Sequence, residues 1–228
     1  MTAKLRALPA DRLHLWLMLL LTFTTGINDA VGYLGLDKVF TGNMTGNVVI
    51  LGMALVGADD LPVLGPALAL VGFMLGAAVG GRVLRRTSRA WSTGTTVLLA
   101  SVAVVMCALA VLLFVVPEVS HVVMVSTTTL ASVAMGAQAA AARVVGVKDV
   151  TTVVVTSTIT GLASDSRLGA GKPGSQGKRF WAVVLILLGA AAGAALLHVH
   201  VGAGLLLAGV LIAGATVVGA LHATGEQR

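Results

Sequence analysis

The chain carries the short polar segment TGNMTG at residues 41–46 and a related segment, TSTITG, 115 positions later at residues 156–161. Two further pairs of segments match in the same order, with offsets of 113 and 110: LGAAVG at 75–80 with LGAAAG at 188–193, and GIN at 26–28 with GAQ at 136–138. Three matches in one order, at nearly one offset, indicate a duplicated unit. Internal repeats of this kind are common in transporter folds.

The residues around these segments are too apolar for a soluble protein. Hydrophobic residues make up 57% of the 228 residues and charged residues only 11%, whereas soluble domains contain about 25% charged residues. The apolar residues form runs close to the roughly 20 residues that cross a hydrocarbon core, namely Leu13–Phe23, Val63–Val79, Thr95–Val116, Val183–Leu197 and Gly202–Leu221. No polar cleavage region follows the first run, so we expect the first helix to be retained.

The distribution of Lys and Arg chooses between two topologies. If the short segments 41–56 and 151–163 both crossed the membrane, there would be eight crossings, and the 15 Lys and Arg residues would divide almost evenly. If both segments enter and return on one side, there are six crossings, and every Lys and Arg except Lys38 faces the cytoplasm. The positive-inside rule favours six crossings, with both termini cytoplasmic.

Six crossings place three in each unit, so the two units must be inverted relative to each other. The sequence therefore predicts an all-α polytopic membrane protein that forms a single membrane domain over residues 1–228. It contains two inverted repeats, each with three transmembrane helices and one short re-entrant or broken helix. The predicted bounds are about 13–116 and 119–222 for the repeats and about 164–179 for a cytoplasmic loop.

Several classes of function are disfavoured by the residue types present. The net charge of +6 borders apolar spans, so we interpret it as membrane anchoring and expect no nucleic-acid partner. The single cysteine, Cys107, excludes an intrachain disulfide and a cysteine-based metal site, and we expect neither metal nor cofactor. No Ser/His/Asp arrangement or pair of carboxylates is visible within the spans, so we expect no enzyme activity.

Polar residues within or beside the spans are the candidate binding residues. Asn28 and Asp29 lie inside the first predicted helix, where a carboxylate is costly unless it is paired or faces water. The other interpretation of Asp29 is a solvated residue near the outer interface. Gln138 is the counterpart of Asn28 in the second unit, and Arg143 could pair with Asp29 or a solute, although such arginines commonly extend to the cytoplasmic surface.

The two short segments supply the remaining candidates. A helix that starts in such a segment directs N–H groups and a positive dipole end toward the membrane centre, which suits an anion or a carbonyl. The alternative is that these small polar residues only permit close helix packing. The predicted solute-binding residues of the segments are Thr41, Asn43, Thr45, Thr156, Thr158 and Thr160.

The first polar segment also carries a family resemblance. GINDA at 26–30, Leu36, VFTGNMTGN at 39–47 and LG at 51–52 closely resemble the signature of the YoaK-like family, small bacterial integral membrane proteins catalogued as a domain of unknown function. TTVVVT at 151–156, with Arg143 upstream, is also similar, although Ser157 stands where glycine is expected. The resemblance covers nearly the whole chain. It implies a bacterial cytoplasmic-membrane location and no agreed substrate.

Two hypotheses of function follow. The first is a transporter or channel for a small polar or anionic solute, with a central site formed by two opposed half-helices and with Asp29 coupling proton movement. The second is a non-transporting membrane scaffold or partner subunit, and a membrane enzyme is a weaker third. Small residues spaced as in Gly76-x-x-x-Gly80 and Gly189-x-x-x-Gly193 predict close helix contacts, within the fold or in a homo-oligomer.

Overall fold

The computed structural model describes residues 8–58, 60–87, 91–147, 155–171 and 176–225. Within these ranges the chain forms eight α-helices and no strands. The predicted all-α class is therefore confirmed. The helices are α1 (Ala10–Ala30, continued by a π-helix at Val31–Gly35), α2 (Met44–Leu55), α3 (Leu64–Leu84), α4 (Thr93–Val115), α5 (His121–Val145), α6 (Val155–Ser164), α7 (Gln176–Leu197) and α8 (Val201–Gly225).

Six of these helices are long and apolar enough to cross a membrane: α1 with its π-helical extension, α3, α4, α5, α7 and α8. The first of them, at 26 residues, is about 39 Å long, more than the roughly 30 Å of a hydrocarbon core. Helices α2 and α6 have 12 and 10 residues, so they are only about 18 Å and 15 Å long. They are too short to cross, as predicted for the two polar segments.

Local sequence explains where several helices start and stop. The side chain of Asn43 caps α2, where its Oδ1 accepts a hydrogen bond from Gly46 N at 3.2 Å. Ser92 begins α4 in a capping box with Thr95, which satisfies two backbone N–H groups that the helix leaves unpaired. Gly146 ends α5 with a φ of 64°, a left-handed conformation that suits glycine.

The first helix of each half packs mainly against the other half of the chain. Helix α1 packs on α7 and α8, while α5 packs on α3 and α4. Helices α4 and α8 also pack on each other, and each short helix contacts the long helix that follows it, α2 with α3 and α6 with α7. Exchanging the two halves therefore maps each of these helix pairs onto another of them, or, for α4 with α8, onto itself.

The same correspondence holds at the level of single residues. A Cβ built on Gly26 of α1 would lie 2.8 Å from Ala190 N of α7. A Cβ built on Gly136 of α5 would lie 2.9 Å from Ala77 N of α3. The two glycines differ by 110 positions and the two alanines by 113, which are the offsets found in the sequence. Both crossings require glycine because backbone meets backbone there.

The glycines of the two Gly-x-x-x-Gly motifs are used within the fold. Gly76 lies against the backbone of Val133, and Gly189 lies against the backbone of Phe23. Cys107 of α4 packs in the same manner against Gly209 of α8. The glycines of both motifs are therefore used in helix contacts within the fold.

Some predicted features lie outside the described residues. They include residues 151–154 of the second polar segment and residues 172–175 of the predicted cytoplasmic loop. Several of the basic residues counted for topology, among them Arg89 and Lys148, also lie outside the described residues.

Candidate functional site

The Asp29 side chain binds the chain segment that leads into α2. Its Oδ1 accepts hydrogen bonds from Gly42 N at 2.7 Å, Asn43 N at 3.4 Å and Thr41 Oγ1 at 3.4 Å. These donors lie at the N-terminal end of α2, where the helix dipole also favours a negative charge. The structure therefore brings three predicted site residues together, Asp29, Thr41 and Asn43, and explains how a carboxylate is accommodated in an apolar helix.

Asn47 holds the same segment from the other side. Its Nδ2 donates to Phe40 O at 2.6 Å, and its Oδ1 accepts from Phe40 N at 2.9 Å. The Asn47 side chain is only 1% exposed, and because Phe40 is partly buried, both bonds are partly shielded from solvent. Asn47 was not among the predicted site residues. The signal that could have found it is the second TGN of TGNMTGN, where a second asparagine follows a second glycine.

A partly open cavity of about 690 Å³, lined by both polar and apolar side chains, lies next to this segment, and it is called the polar cavity below. The start of α2 forms one part of its wall, through Asn43 and Thr45, and the start of α6 forms another, through Thr156. Asp29 is the one charged side chain among the described residues that line it. The full lining is Thr25, Asp29, Tyr33, Phe40, Gly42, Asn43, Thr45, Gly46, Val49, Ile50, Val155, Thr156 and Ile186.

Asn28 and Gln138 are buried together behind this cavity, where α1 meets α5. Asn28 Nδ2 donates to Met135 Sδ at 3.3 Å, and Gln138 Nε2 donates to Thr25 Oγ1 at 3.4 Å. The two bonds correspond to each other at an offset of 110, because Asn28 matches Gln138 and Thr25 matches Met135. Thr25 itself lines the cavity, so one hydrogen bond separates Gln138 from it.

The side-chain amide oxygens of Asn28 and Gln138 lack hydrogen-bond donors among the described residues. Asn28 Oδ1 and Gln138 Oε1 are both buried and accept no hydrogen bond from any described group. Unsatisfied buried acceptors are uncommon in folded proteins and often accompany functional sites. The centre of the bundle is therefore polar, although neither side chain lines the cavity.

The remaining predicted residues lie away from the cavity lining. Arg143 is exposed in the last turn of α5. Thr158 is buried on α6, and Thr160 is exposed and donates to Thr156 O of its own helix at 2.9 Å. Of the residues predicted from the second half of the chain, Thr156 alone lines the cavity among those described.

A different arginine holds α6. Arg179, near the start of α7, donates from Nη1 to Gly161 O at 2.9 Å and to Asp165 Oδ2 at 2.7 Å. The ion pair is partly buried, with the arginine 16% and the aspartate 25% exposed. This cation lies where it can bind carbonyl groups near the C-terminal end of α6, as the helix dipole favours. The sequence indicates a possible binding role for Arg143, and it carries no signal for the contacts that Arg179 makes.

A second, apolar cavity of about 440 Å³, which is a shallow groove widely open to the outer surface of the bundle, adjoins the polar one. The two share Asp29, Tyr33, Phe40 and Ile186. The rings of Tyr33 and Phe40 stack with their centroids 4.8 Å apart and form a common wall. The remaining lining residues of the second cavity are Gly26, Ala30, Leu34, Val183, Leu187 and Ala190.

The contacts of Asp29 with the start of α2 change the charge that is expected of a bound solute. The N–H groups at the start of α2 were expected to face a solute, and they suit an anion. In the structure, Gly42 N and Asn43 N donate to Asp29 instead. A carboxylate of the protein itself therefore occupies the anion position of this helix.

Comparison with known proteins gives a family but no solved structure. Residues 17–218 match the family model described as "Protein of unknown function (DUF1275)". A relative, "UPF0700 transmembrane protein YoaK" of Bacillus subtilis (strain 168), is 37% identical over 99 residues, which are 43% of this chain and 44% of that protein. The aligned part thus spans less than half of the relative's length. No solved structure matches the chain.

Proposed function

We propose that this chain, which belongs to the DUF1275 family of proteins of unknown function, is a membrane transporter or channel for a small polar solute. One observation carries the proposal. The starts of both short helices and the carboxylate of Asp29 line a single polar cavity in a bundle of six membrane-spanning helices. Transporters commonly bind their solutes where broken or short helices begin near the bilayer midplane.

The packing of the helices supports an inverted repeat around this cavity. The contacts of α1 with α7 and α8 correspond to those of α5 with α3 and α4. If the two halves are repeats of one unit, the odd number of three spans in each half gives them opposite orientations in the membrane. Rocking of one such half against the other around a fixed site is the usual basis of alternating access.

The distribution of charge supports an orientation in the membrane. We infer a bacterial cytoplasmic membrane with both termini on the cytoplasmic side, since every Lys and Arg except Lys38 then faces the cytoplasm. Reporter fusions after Asp60 and Glu118 should read outside, and fusions after Arg89 and Ser175 should read inside. An inside reading after Asp60 with an outside reading after Arg89 would replace this topology with the eight-crossing one.

The test is a flux assay on the purified protein in liposomes, preceded by a screen for solutes that raise its unfolding temperature. Asn43→Leu and Thr156→Val should each weaken the stabilisation by a solute and slow its flux, because both side chains line the cavity. Thr160→Val is a matched control, since its hydroxyl binds its own helix.

Two outcomes would contradict the proposal. If no solute crosses the membrane and none stabilises the protein, a scaffold or partner subunit is the better account. The same conclusion holds if Asn43→Leu and Thr156→Val reduce expression but leave flux unchanged in the protein that remains. Packing would then explain the polar residues of the two segments.

A further inference from the structure

We propose that the solute is a small amphipathic amine, with its cationic nitrogen beside Asp29 in the polar cavity and its apolar part in the adjoining apolar cavity. This inference rests on the proposed function, since it names the class of solute for the same site. Three features of the two cavities carry it.

The first feature is the charge of the polar cavity. Asp29 is the one charged side chain among the described residues that line it. Its Oδ1 accepts the hydrogen bonds from the start of α2, while Oδ2 accepts none from the described residues. A carboxylate oxygen at membrane depth attracts a cation strongly, because little water is present to screen it. An anion would face repulsion from the same group.

The second feature is the aromatic wall. Tyr33 and Phe40 stack with an angle of 13° between their rings, and both side chains line both cavities, as Asp29 does. A cation within about 6 Å of an aromatic face is attracted by the ring quadrupole. A carboxylate next to two aromatic rings is therefore suited to an ammonium group and offers little to a carboxylate or phosphate.

The third feature is the apolar cavity between α1 and α7. Its lining carries only apolar side chains apart from Asp29 and the Tyr33 hydroxyl. Leu34 is 61% exposed and Leu187 is 67% exposed, so both extend to the outer face of the bundle, where lipid lies. An alkyl group attached to the ammonium can fill this cavity and can enter it sideways from the bilayer. A wholly polar solute would leave it unused.

The experiment measures binding to the purified full chain in nanodiscs of zwitterionic phosphatidylcholine, which carries no net charge, by calorimetry at neutral pH. The probes are ethylamine, butylamine and hexylamine, with hexanol and hexanoate as neutral and anionic matches for hexylamine. Empty nanodiscs correct for partition into lipid. We expect each added methylene to tighten binding about fourfold. Hexanoate should not bind measurably.

Two variants separate the two parts of the site. Asp29→Asn retains an oxygen that can accept from Gly42 N but removes the charge, so hexylamine should bind at least about tenfold more weakly. Val183→Phe fills the apolar cavity, so it should abolish the dependence on chain length and preserve ethylamine binding. Val210→Phe on α8, which is exposed and lines neither cavity, is the control.

The outcomes distinguish this inference from the proposed function. Equal binding of hexanoate and hexylamine to the unaltered protein overturns the amine proposal even if no variant folds, and so does unchanged hexylamine binding to Asp29→Asn. If an uncharged polar solute crosses liposomes and depends on Asn43 while amines do not bind, the amine proposal fails and transport stands. If amines bind through Asp29 but nothing crosses, the binding site stands and transport fails.

Discussion

Replacing Asn47 by leucine tests whether its two hydrogen bonds fix the segment that shapes the cavity. Leucine has a similar size but can neither donate nor accept, so the N–H and C=O of Phe40 would both lose their partners. Each buried polar group left without a partner costs about 1–3 kcal/mol. Because Phe40 is only partly buried, we take the lower end for each group. The expected loss of stability is about 2 kcal/mol.

For a chain of this length, about 2 kcal/mol corresponds to a fall in unfolding temperature of roughly 4–8 °C. Tryptophan fluorescence of the purified protein during heating measures it. Val48→Leu is the control, since Val48 is the next residue of α2 and is 53% exposed. Asn47→Asp should lie between the two, because it retains the acceptor for Phe40 N but places a carboxylate beside Phe40 O. If Asn47→Leu unfolds at the same temperature as the unaltered protein, the segment is fixed by something other than Asn47.

Two further predictions concern helix contact and pH. Gly76→Ala and Gly189→Ala should destabilise the protein by similar amounts, about 1–3 kcal/mol each, because each glycine faces the backbone of another helix at equivalent crossings. Gly214→Ala is the control, since nothing lies within 4 Å of its Cβ position. Thermal unfolding measures all three variants, and unequal effects at the two crossings would contradict their equivalence. Burial raises the pKa of the Asp37 carboxyl in the folded protein, and His121 opposes this rise only in part. The stability that Asp37 contributes is therefore full below its ordinary pKa of 3.8 and is lost as the pH rises through its raised pKa in the folded protein. Asp37→Asn should lack this loss when unfolding is followed from about pH 3 to pH 7, and a parallel pH dependence in both proteins would refute the assignment.

The sequence predicted the class of fold because length and hydropathy depend on local residues. The five apolar runs correspond to the long helices α1, α3, α4, α7 and α8, the remaining crossing of the predicted topology corresponds to α5, and the two short polar segments correspond to α2 and α6. The matched segments GIN and GAQ, which the sequence indicates only as part of a repeat, also lie where α1 and α5 contact each other. The number and length of the helices can be predicted from the length and apolar character of each segment, because neither depends on the path of the chain between helices.

The details of the site could not be predicted, because they depend on the path of the chain between helices. Residues 36–43 turn back so that Gly42 N and Asn43 N reach Asp29, and no pattern in the sequence specifies which donors a carboxylate will meet. The same limit applied to the arginines. Arg143 and Arg179 both adjoin apolar runs, and the folded position of α6 alone determines that Arg179 binds it.

The reciprocal packing of the two halves has a consequence for biosynthesis. Helix α1 finds its main partners, α7 and α8, only after the ribosome has added more than 150 further residues. At roughly 5–20 residues per second this interval lasts about 8–30 s. Throughout it, Asn28 and Asp29 reside in the membrane before the α7 surface that will cover their helix has been made. Asp29 meets its donors Gly42 N and Asn43 N after only 14 further residues, so the part of α1 that waits longest for a partner is the face around Gly26, which packs against the α7 backbone.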